Sequence, residues 1–349
     1  MPPATSRDGE PLTSIATLLV RLEACLRRTD FDSGWTFRPG LSRSVILDRT
    51  ANLPFELPEE VVALYEWADG YGSITPGKWF IPLEDAIQSY HHQLKWQREH
   101  AHADARMWDD WSEEWFPLFR NSYCESFVRC GPQAQGQLWD RCPQFLELNW
   151  LADSLGEFVE TVVVAIESGG LLIHPLKGKG LDMRAGYNAF KQTRPEVGSL
   201  VQAANGNDPL DRARAFGILS QGVQPAAIGP MTELVLGQDR ELARAAAWVL
   251  RAIEQPAAVA SLIKAAAVWG QRPGSDNPVL HIIPHGRHAD SQPLIDALGD
   301  SDDALRLAAV TCLGLLAEAT DFPSLYAATS DSSPAVRAAA RAALDRLKR

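Results

Sequence analysis

A regular spacing of leucines in the C-terminal part of the chain constrains its fold most strongly. Leu219, Leu250, Leu313 and Leu344 are separated by 31, 63 and 31 residues, which fits a period of 31 residues with one unit that lacks the marker leucine. Apolar residues recur eight and nineteen residues before the last three leucines: Leu242, Leu305 and Val336, and Met231, Leu294 and Leu325. This periodicity predicts stacked pairs of helices, because one pair cannot bury its apolar side alone.

Each predicted pair has a short polar turn between its helices, at residues 237–239, 300–302 and 331–334. Asp or Ser in such a turn can cap the free amides of the second helix. The second helices share an Arg-Ala-rich stretch that begins at Arg244, Arg306 and Arg337. The pattern resembles HEAT-like repeats over about residues 208–349, and the resemblance implies an all-α solenoid.

The third unit departs from the pattern. Its first helix retains an apolar residue at Leu262, but residues 271–288 contain Pro273, Gly274, Pro278 and Pro284. Proline removes a backbone donor and breaks helices. We therefore expect an irregular loop or a broken helix in place of the second helix of this unit.

The N-terminal part differs in composition and charge. Nine of the 11 tryptophans lie between Trp35 and Trp150, whereas Ala, Leu and Arg dominate beyond about residue 200. Residues 1–190 hold 17 basic and 27 acidic residues (17 − 27 = −10), and residues 191–349 hold 16 and 17 (16 − 17 = −1). Turn-forming residues in 193–209 mark the boundary. We predict two domains, 1–194 and 195–349.

Helical and strand patterns alternate in the N-terminal domain, which predicts an α+β fold. Helices are predicted at residues 13–28, from 57 to about 68, from about 84 to 100, and at 155–167. Strands are predicted at 79–83, 115–119, 126–129, 136–141 and 145–148.

Two motifs in this order suggest a family. The segment 57–65 reads Leu-Pro-Glu-Glu-Val-Val-Ala-Leu-Tyr and is followed by Asp69-Gly70, and residues 80–86 read Phe-Ile-Pro-Leu-Glu-Asp-Ala. With the strand 115–119 and the helix that ends at Gly169, they resemble the SMI1/KNR4 (SUKH) superfamily over about residues 12–190. The resemblance implies an α+β domain with a non-catalytic, protein-binding role. Many bacterial members are immunity proteins that neutralise secreted toxins, and fungal relatives act in cell-wall regulation.

The strongest candidate binding residues lie in one short acidic and aromatic segment: Trp108, Asp109, Asp110, Trp111, Glu113 and Glu114. Tryptophans often anchor protein interfaces. The alternative interpretation is that Trp111 and Trp115, four residues apart on a helical turn, pack inward while the acids face water. The acidic charge favours a basic protein partner, such as a toxin domain, over nucleic acid.

Motifs for catalysis and cofactor binding are missing from the sequence. It contains no phosphate-binding glycine loop, no dinucleotide fingerprint, no His-Glu-x-x-His and no nucleophile elbow. His281, His285 and His288 could hold zinc, but Pro284 breaks the helix that their spacing requires. We therefore expect no catalytic residue, no cofactor and no metal.

The five cysteines are irregularly spaced, which predicts reduced thiols and a cytoplasmic location. No segment predicts a signal peptide or a membrane span. The leading hypothesis is a cytoplasmic protein-binding or immunity protein. The alternatives are a helical-repeat enzyme or enzyme accessory of the lyase type, and a scaffold for cell-wall or other assembly.

Overall fold

The chain folds as two compact units, residues 1–194 and 195–349, in a computed structural model. The structure describes residues 14–28, 37–70, 72–75, 78–100, 112–121, 124–132, 135–142, 147–174, 178–181, 183–189, 195–221, 224–253, 255–272, 277–280, 282–283, 291–316 and 322–347. None of the helices in these ranges combines the length and hydropathy needed to cross a bilayer.

The N-terminal unit is an α+β fold. Its helices are α1 (Ile15–Arg28), α2 (Arg43–Thr50), α3 (Glu59–Trp67), α4 (Leu83–His100), α5 (Leu155–Glu167) and α6 (Arg184–Ala189). Its strands are β1 (Ser73–Thr75), β2 (Lys78–Phe80), β3 (Trp115–Arg120), β4 (Glu125–Arg129), β5 (Leu138–Cys142), β6 (Glu147–Ala152), β7 (Leu171–His174) and β8 (Gly178–Leu181). Strands β1 to β6 form one antiparallel sheet in chain order, and β7 pairs with β8 separately.

The main core lies on one face of the six-stranded sheet, which we call the inner face. Phe80, Phe119, Val128 and Leu138 project from this face into a cluster with helices α1, α3 and α5. Helix α5 is apolar on most sides, with Val159 and Val162 at 0% exposure, because it packs between α1 and the sheet. Helix α4 contacts β3.

The sequence predicted the larger elements and missed the small ones. The helices at α1, α3, α4 and α5 and the strands β2 to β6 are confirmed, with β6 at Glu147–Ala152 instead of 145–148. Strand β1 and helix α2 were not predicted, because three or eight residues carry too little periodicity. The same reason applies to β7, β8 and α6.

The described elements of the C-terminal unit are helical. They are α7 (Val197–Ala204), α8 (Pro209–Gln221), α9 (Ile228–Leu236), α10 (Arg240–Ile253), α11 (Pro256–Gly270), α12 (Gln292–Ala297), α13 (Asp303–Leu316), α14 (Phe322–Ala328) and α15 (Pro334–Leu347), with a short 3-10 helix at Pro225–Ala227. Consecutive helices pair as α7 with α8, α9 with α10, α12 with α13 and α14 with α15. The predicted helical repeat is therefore confirmed.

The irregular third unit is also as predicted. Helix α11 supplies its first helix, and the described residues 277–280, 282 and 283 contain no α-helix. Val279, Ile282 and Ile283 are at most 4% exposed, so side chains of this segment contribute to the core. Helix α13 packs directly against α11.

The marker leucines form the repeat core. Leu219, Leu250 and Leu313 are 0% exposed and Leu344 is 4% exposed. The arginines do not share one position, however. Ala243 is the buried counterpart of Arg306, since each lies seven residues before its marker leucine, whereas Arg244 is one residue further along.

The predicted capping of second helices is confirmed in two of the three predicted turns. Asp239 Oδ1 accepts hydrogen bonds from the Glu241 and Leu242 amides at 2.9 and 3.0 Å, and Asp302 Oδ1 accepts one from the Ala304 amide at 2.9 Å. Asp208, outside the predicted turns, caps α8 in the same way at 2.9 and 2.8 Å. These carboxylates satisfy amides that have no partner within the helix. In the third predicted turn Asp331 accepts instead from the Ser333 amide, which precedes α15.

The expectation of reduced thiols is wrong at Cys124. Cys25, Cys130 and Cys312 are free and buried. Cys124, at the start of the β4 region, is disulfide-bonded.

Candidate functional site

The first of the two motifs that resemble the SUKH superfamily, residues 57–65 with Asp69-Gly70, connects helix α3 to helix α4. The Asp69 carboxylate accepts a hydrogen bond from the Leu83 amide at 2.9 Å and so caps α4. The Tyr65 hydroxyl donates to the Ile81 carbonyl at 3.1 Å. Burial raises the pKa of Tyr65 well above its usual range, and the nearby Asp69 carboxylate adds to the shift. These contacts join α3 to the segment that leads into α4.

The acidic pair at the start of α3 is structural in the same way. Glu60 Oε2 accepts a hydrogen bond from the Gly156 amide at 3.0 Å, in the first turn of α5. Ser154 caps the same helix by accepting from the Glu157 amide at 3.1 Å. Glu59 forms an ion pair with Arg43 of α2. The Leu-Pro-Glu-Glu motif therefore connects α3 to α2 through Glu59 and to α5 through Glu60.

The predicted acidic and aromatic segment lies only partly within the described residues. Trp108, Asp109, Asp110 and Trp111 lie outside them. The Glu113 side chain is 69% exposed, with its carboxylate 3.4 Å from Arg98 of α4. Glu114 is half-buried.

The neighbouring Trp115 does not belong to an exposed patch. It is 7% exposed and begins strand β3, so it is not on a helical turn. Its ring stacks on Phe127 at a centroid distance of 4.2 Å. Of the two proposed acids that the structure describes, Glu113 is exposed to solvent and Glu114 is half-buried.

The outer face of the sheet carries a buried aromatic row. Phe127 pairs across strands with Trp139, and Trp139 with Trp150. All three are at most 1% exposed. The Trp150 indole donates to the Asp153 carboxylate at 3.2 Å. Buried tryptophans usually find such a partner, so this row is packing and not an open surface.

The outer face is exposed at the end formed by β2 and β3. Here Trp79, Arg120 and Glu125 are direct cross-strand neighbours on β2, β3 and β4. Trp79 is 55% exposed, and Gln93 of α4 donates to Glu125 at 3.1 Å. Trp96, three residues after Gln93 on α4, is 41% exposed. We call these five residues the Trp79 surface; sequence inspection missed it because it depends on strand register.

A Lys, Asp and Ser cluster lies on the inner face. The Lys78 ammonium, the Asp140 carboxylate and the Ser126 hydroxyl hydrogen-bond with one another. Their composition is that of an acid–base site, but Ser126 is 1% exposed. A nucleophile has to reach its substrate. The three groups satisfy one another and stabilise the curled sheet instead.

Paired charges link the last two repeats. Arg306 contacts both carboxylate oxygens of Asp331, at 2.9 and 3.1 Å, and donates to the Asp300 and Ser301 carbonyls. The hydrogen bonds from Arg306 lower the pKa of Asp331 and, in return, raise the pKa of Arg306. Arg337 of α15 donates to the Asp331 and Ser332 carbonyls, in the turn that precedes α15.

Among the second helices, α8 contacts α10 and α13 contacts α15. On α10, Trp248 is 38% exposed, one helical turn after the half-buried Arg244. The positions equivalent to Trp248 in α8, α13 and α15 carry small residues: Gly217, Thr311 and Ala342. We call Arg244, Trp248 and these equivalent positions of the second helices the Trp248 face.

Within the described ranges, no three His, Cys, Asp or Glu side chains lie close enough together to hold a metal ion. His281, His285 and His288 lie outside those ranges.

Comparison with known proteins supports the helical repeat. Residues 291–349 match the family model for HEAT repeats. A designed armadillo repeat protein in complex with the peptide (KR)4 aligns at 17% identity over 46% of this chain and 85% of its own, with a TM-score of 0.23. A second designed armadillo repeat protein aligns at 17% identity over 44% and 100%, with a TM-score of 0.17. These two superpositions are too weak to carry an argument. A search of curated proteins gives no match.

Proposed function

We propose that this protein is a non-catalytic, protein-binding repeat scaffold that holds its partner on the Trp248 face. The observation that carries the proposal is the exposed Trp248 on α10, a second helix that contacts the second helix α8. Helical repeat arrays present extended surfaces that suit protein ligands.

The composition of the face supports binding. Tryptophan and arginine are the residues most enriched among interface hot spots. Trp248 and Arg244 are one turn apart on α10, and Trp248 is 38% exposed. A partner side chain can bury the exposed part of the indole.

Affinity capture with the full chain tests this proposal. The wild type, Trp248→Ala and the control Tyr326→Ala are used as baits; Tyr326 is a 52% exposed aromatic residue on α14, a first helix. We expect Trp248→Ala to lose the partner and Tyr326→Ala to keep it. Equal recovery by all three baits would refute a role for the Trp248 face.

A finer proposal concerns the N-terminal unit. We propose that it is a cytoplasmic SUKH-type domain and that the protein confers immunity by binding a basic toxin domain. The support is the net charge of −10 in residues 1–190, the exposed Glu113, and the order of helices and strands. A charged contact of this kind mainly speeds association and weakens with salt.

Neutralising the proposed acids tests the finer proposal. Asp109, Asp110, Glu113 and Glu114 are replaced together by Asn or Gln, and association with a captured basic partner is followed at low and high salt. We expect slower association at low salt and little change at high salt. An unchanged rate at low salt would show that these acids take no part.

The two alternative functions, an enzyme or a cell-wall or assembly scaffold, predict different behaviour of the purified protein. A helical-repeat enzyme or accessory of the lyase type retains or converts a small molecule, which native mass spectrometry detects. A cell-wall or assembly scaffold binds a partner that is not a toxin. The buried, self-satisfied state of Ser126, Lys78 and Asp140 favours the non-catalytic proposals.

A further inference from the structure

We infer that the Trp79 surface is a second docking site, which takes an extended protein segment that carries carboxylates. It lies on the N-terminal unit and is independent of the Trp248 face. Its five residues are Trp79, Gln93, Trp96, Arg120 and Glu125.

Two neighbouring side chains provide the contact area. Trp79 is 55% exposed, and the Arg120 side chain, its direct cross-strand neighbour, is 49% exposed. Opposed residues in antiparallel strands have Cβ atoms about 5 Å apart. The indole therefore lies beside a guanidinium, which is the pairing that binds a carboxylate and an apolar side chain together.

The packing around Glu125 leaves Arg120 able to bind a further anion. Glu125 is only 15% exposed and accepts hydrogen bonds from Ser89 at 2.7 Å and Gln93 at 3.1 Å. Its carboxylate is 3.8 Å from Arg120, which is a long ion pair. A guanidinium has five N–H donors in a fixed fork. Glu125 orients Arg120 without occupying those donors.

The charge of the outer face determines the sign of the partner. At the exposed end of this face the charged side chains are Arg120, which is 49% exposed, and Glu125, which is 15% exposed and accepts hydrogen bonds from Ser89 and Gln93. The charge that this end presents to solvent is therefore mainly the positive charge of Arg120, in a region whose net charge is −10 over residues 1–190. A partner with carboxylates is attracted here, whereas a basic partner is repelled.

The test begins with a selection on the immobilised full chain from a library of random dodecapeptides. We expect the selected peptides to be enriched in Asp and Glu next to an aromatic or aliphatic residue. The affinity of one such peptide is then measured by fluorescence polarisation for the wild type, Arg120→Glu and Trp79→Ala.

Two substitutions on α2 serve as controls, Arg49→Glu for the charge change and Leu47→Ala for the loss of an exposed apolar side chain. We expect Arg120→Glu and Trp79→Ala each to weaken binding about tenfold or more, the range of a hot-spot residue. The controls should stay within about twofold of the wild type on the same scale. Arg120→Lys, which keeps the charge and loses the fork, should give an intermediate affinity.

Three results would overturn the inference. The first is a selection that yields basic or uncharged peptides. The second is equal affinity of the wild type and Arg120→Glu for an acidic peptide. The third is duplex DNA displacing the peptide at equal phosphate and carboxylate concentrations, which would assign the surface to nucleic acid. Circular dichroism spectra establish that each variant is folded before its affinity is compared.

Discussion

Replacing Leu313 by alanine should destabilise the repeat unit substantially. Leu313 lies on α13 and is 0% exposed. Helix α13 packs against α11 on one side and α15 on another. The third unit lacks a regular second helix, so α13, together with α12, connects the last two repeats to α11.

The magnitude follows from the atoms removed. Leucine to alanine deletes three buried carbons, worth about 2.4 kcal/mol at roughly 0.8 kcal/mol each. A cavity term adds to this because helices on both sides can collapse only partly. We therefore expect a loss of about 3 to 5 kcal/mol in the free energy of unfolding, the upper part of the range for buried leucines.

Urea denaturation followed by far-ultraviolet circular dichroism measures the loss. Leu47→Ala is the matched control, because Leu47 is 50% exposed and its truncation should cost less than about 0.5 kcal/mol. Leu344→Ala should resemble Leu313→Ala, since Leu344 is 4% exposed. If Leu313→Ala and Leu47→Ala unfold at the same urea concentration, the packing of the repeats described above is wrong.

Three further predictions concern caps, pH and thiols. Asp239→Ala should cost about 1 kcal/mol in urea melts, because it removes the cap of α10. Arg306 lowers the pKa of Asp331, so the ion pair should contribute its full free energy of folding above about pH 4 and lose it as the pH falls through the pKa of folded Asp331. Urea melts of Asp331→Asn at different pH values should lack this loss, whereas those of the exposed control Asp345→Asn should keep it. Burial raises the pKa of Cys312 to about 12, so alkylation by iodoacetamide, read by mass spectrometry, should be negligible at mildly alkaline pH until the repeat unit unfolds. Alkylation of Cys312 as fast as that of a model thiol would contradict its burial.

Local periodicity made most of the repeat unit predictable. The spacing of Leu219, Leu250, Leu313 and Leu344 reports directly which side of each helix is buried. The prolines between 273 and 284 likewise report the interruption of the third unit. The Arg-Ala-rich stretch reports burial less directly, since Ala243 of α10 occupies the buried position that Arg306 has in α13.

Contacts between distant residues were not predictable. The motif glutamate Glu60 caps a helix 96 residues away, and Asp69 caps one that begins 14 residues later. Nothing in the local pattern distinguishes such carboxylates from binding residues. The Trp79 surface was not predicted for a related reason: the register between β2 and β3 places Trp79 beside Arg120, and that register cannot be read from the local sequence.

Site-specific photo-crosslinking shows whether a protein partner binds on the Trp248 face. A photoreactive phenylalanine analogue is placed at Thr311 or Ala342 on second helices, and at Tyr326 on a first helix as the control. We expect one discrete partner to be crosslinked from Thr311 or Ala342 and not from Tyr326, and the added substitution Trp248→Ala to abolish the product. A product from Tyr326 alone, or one that persists with Trp248→Ala, would contradict binding on the Trp248 face.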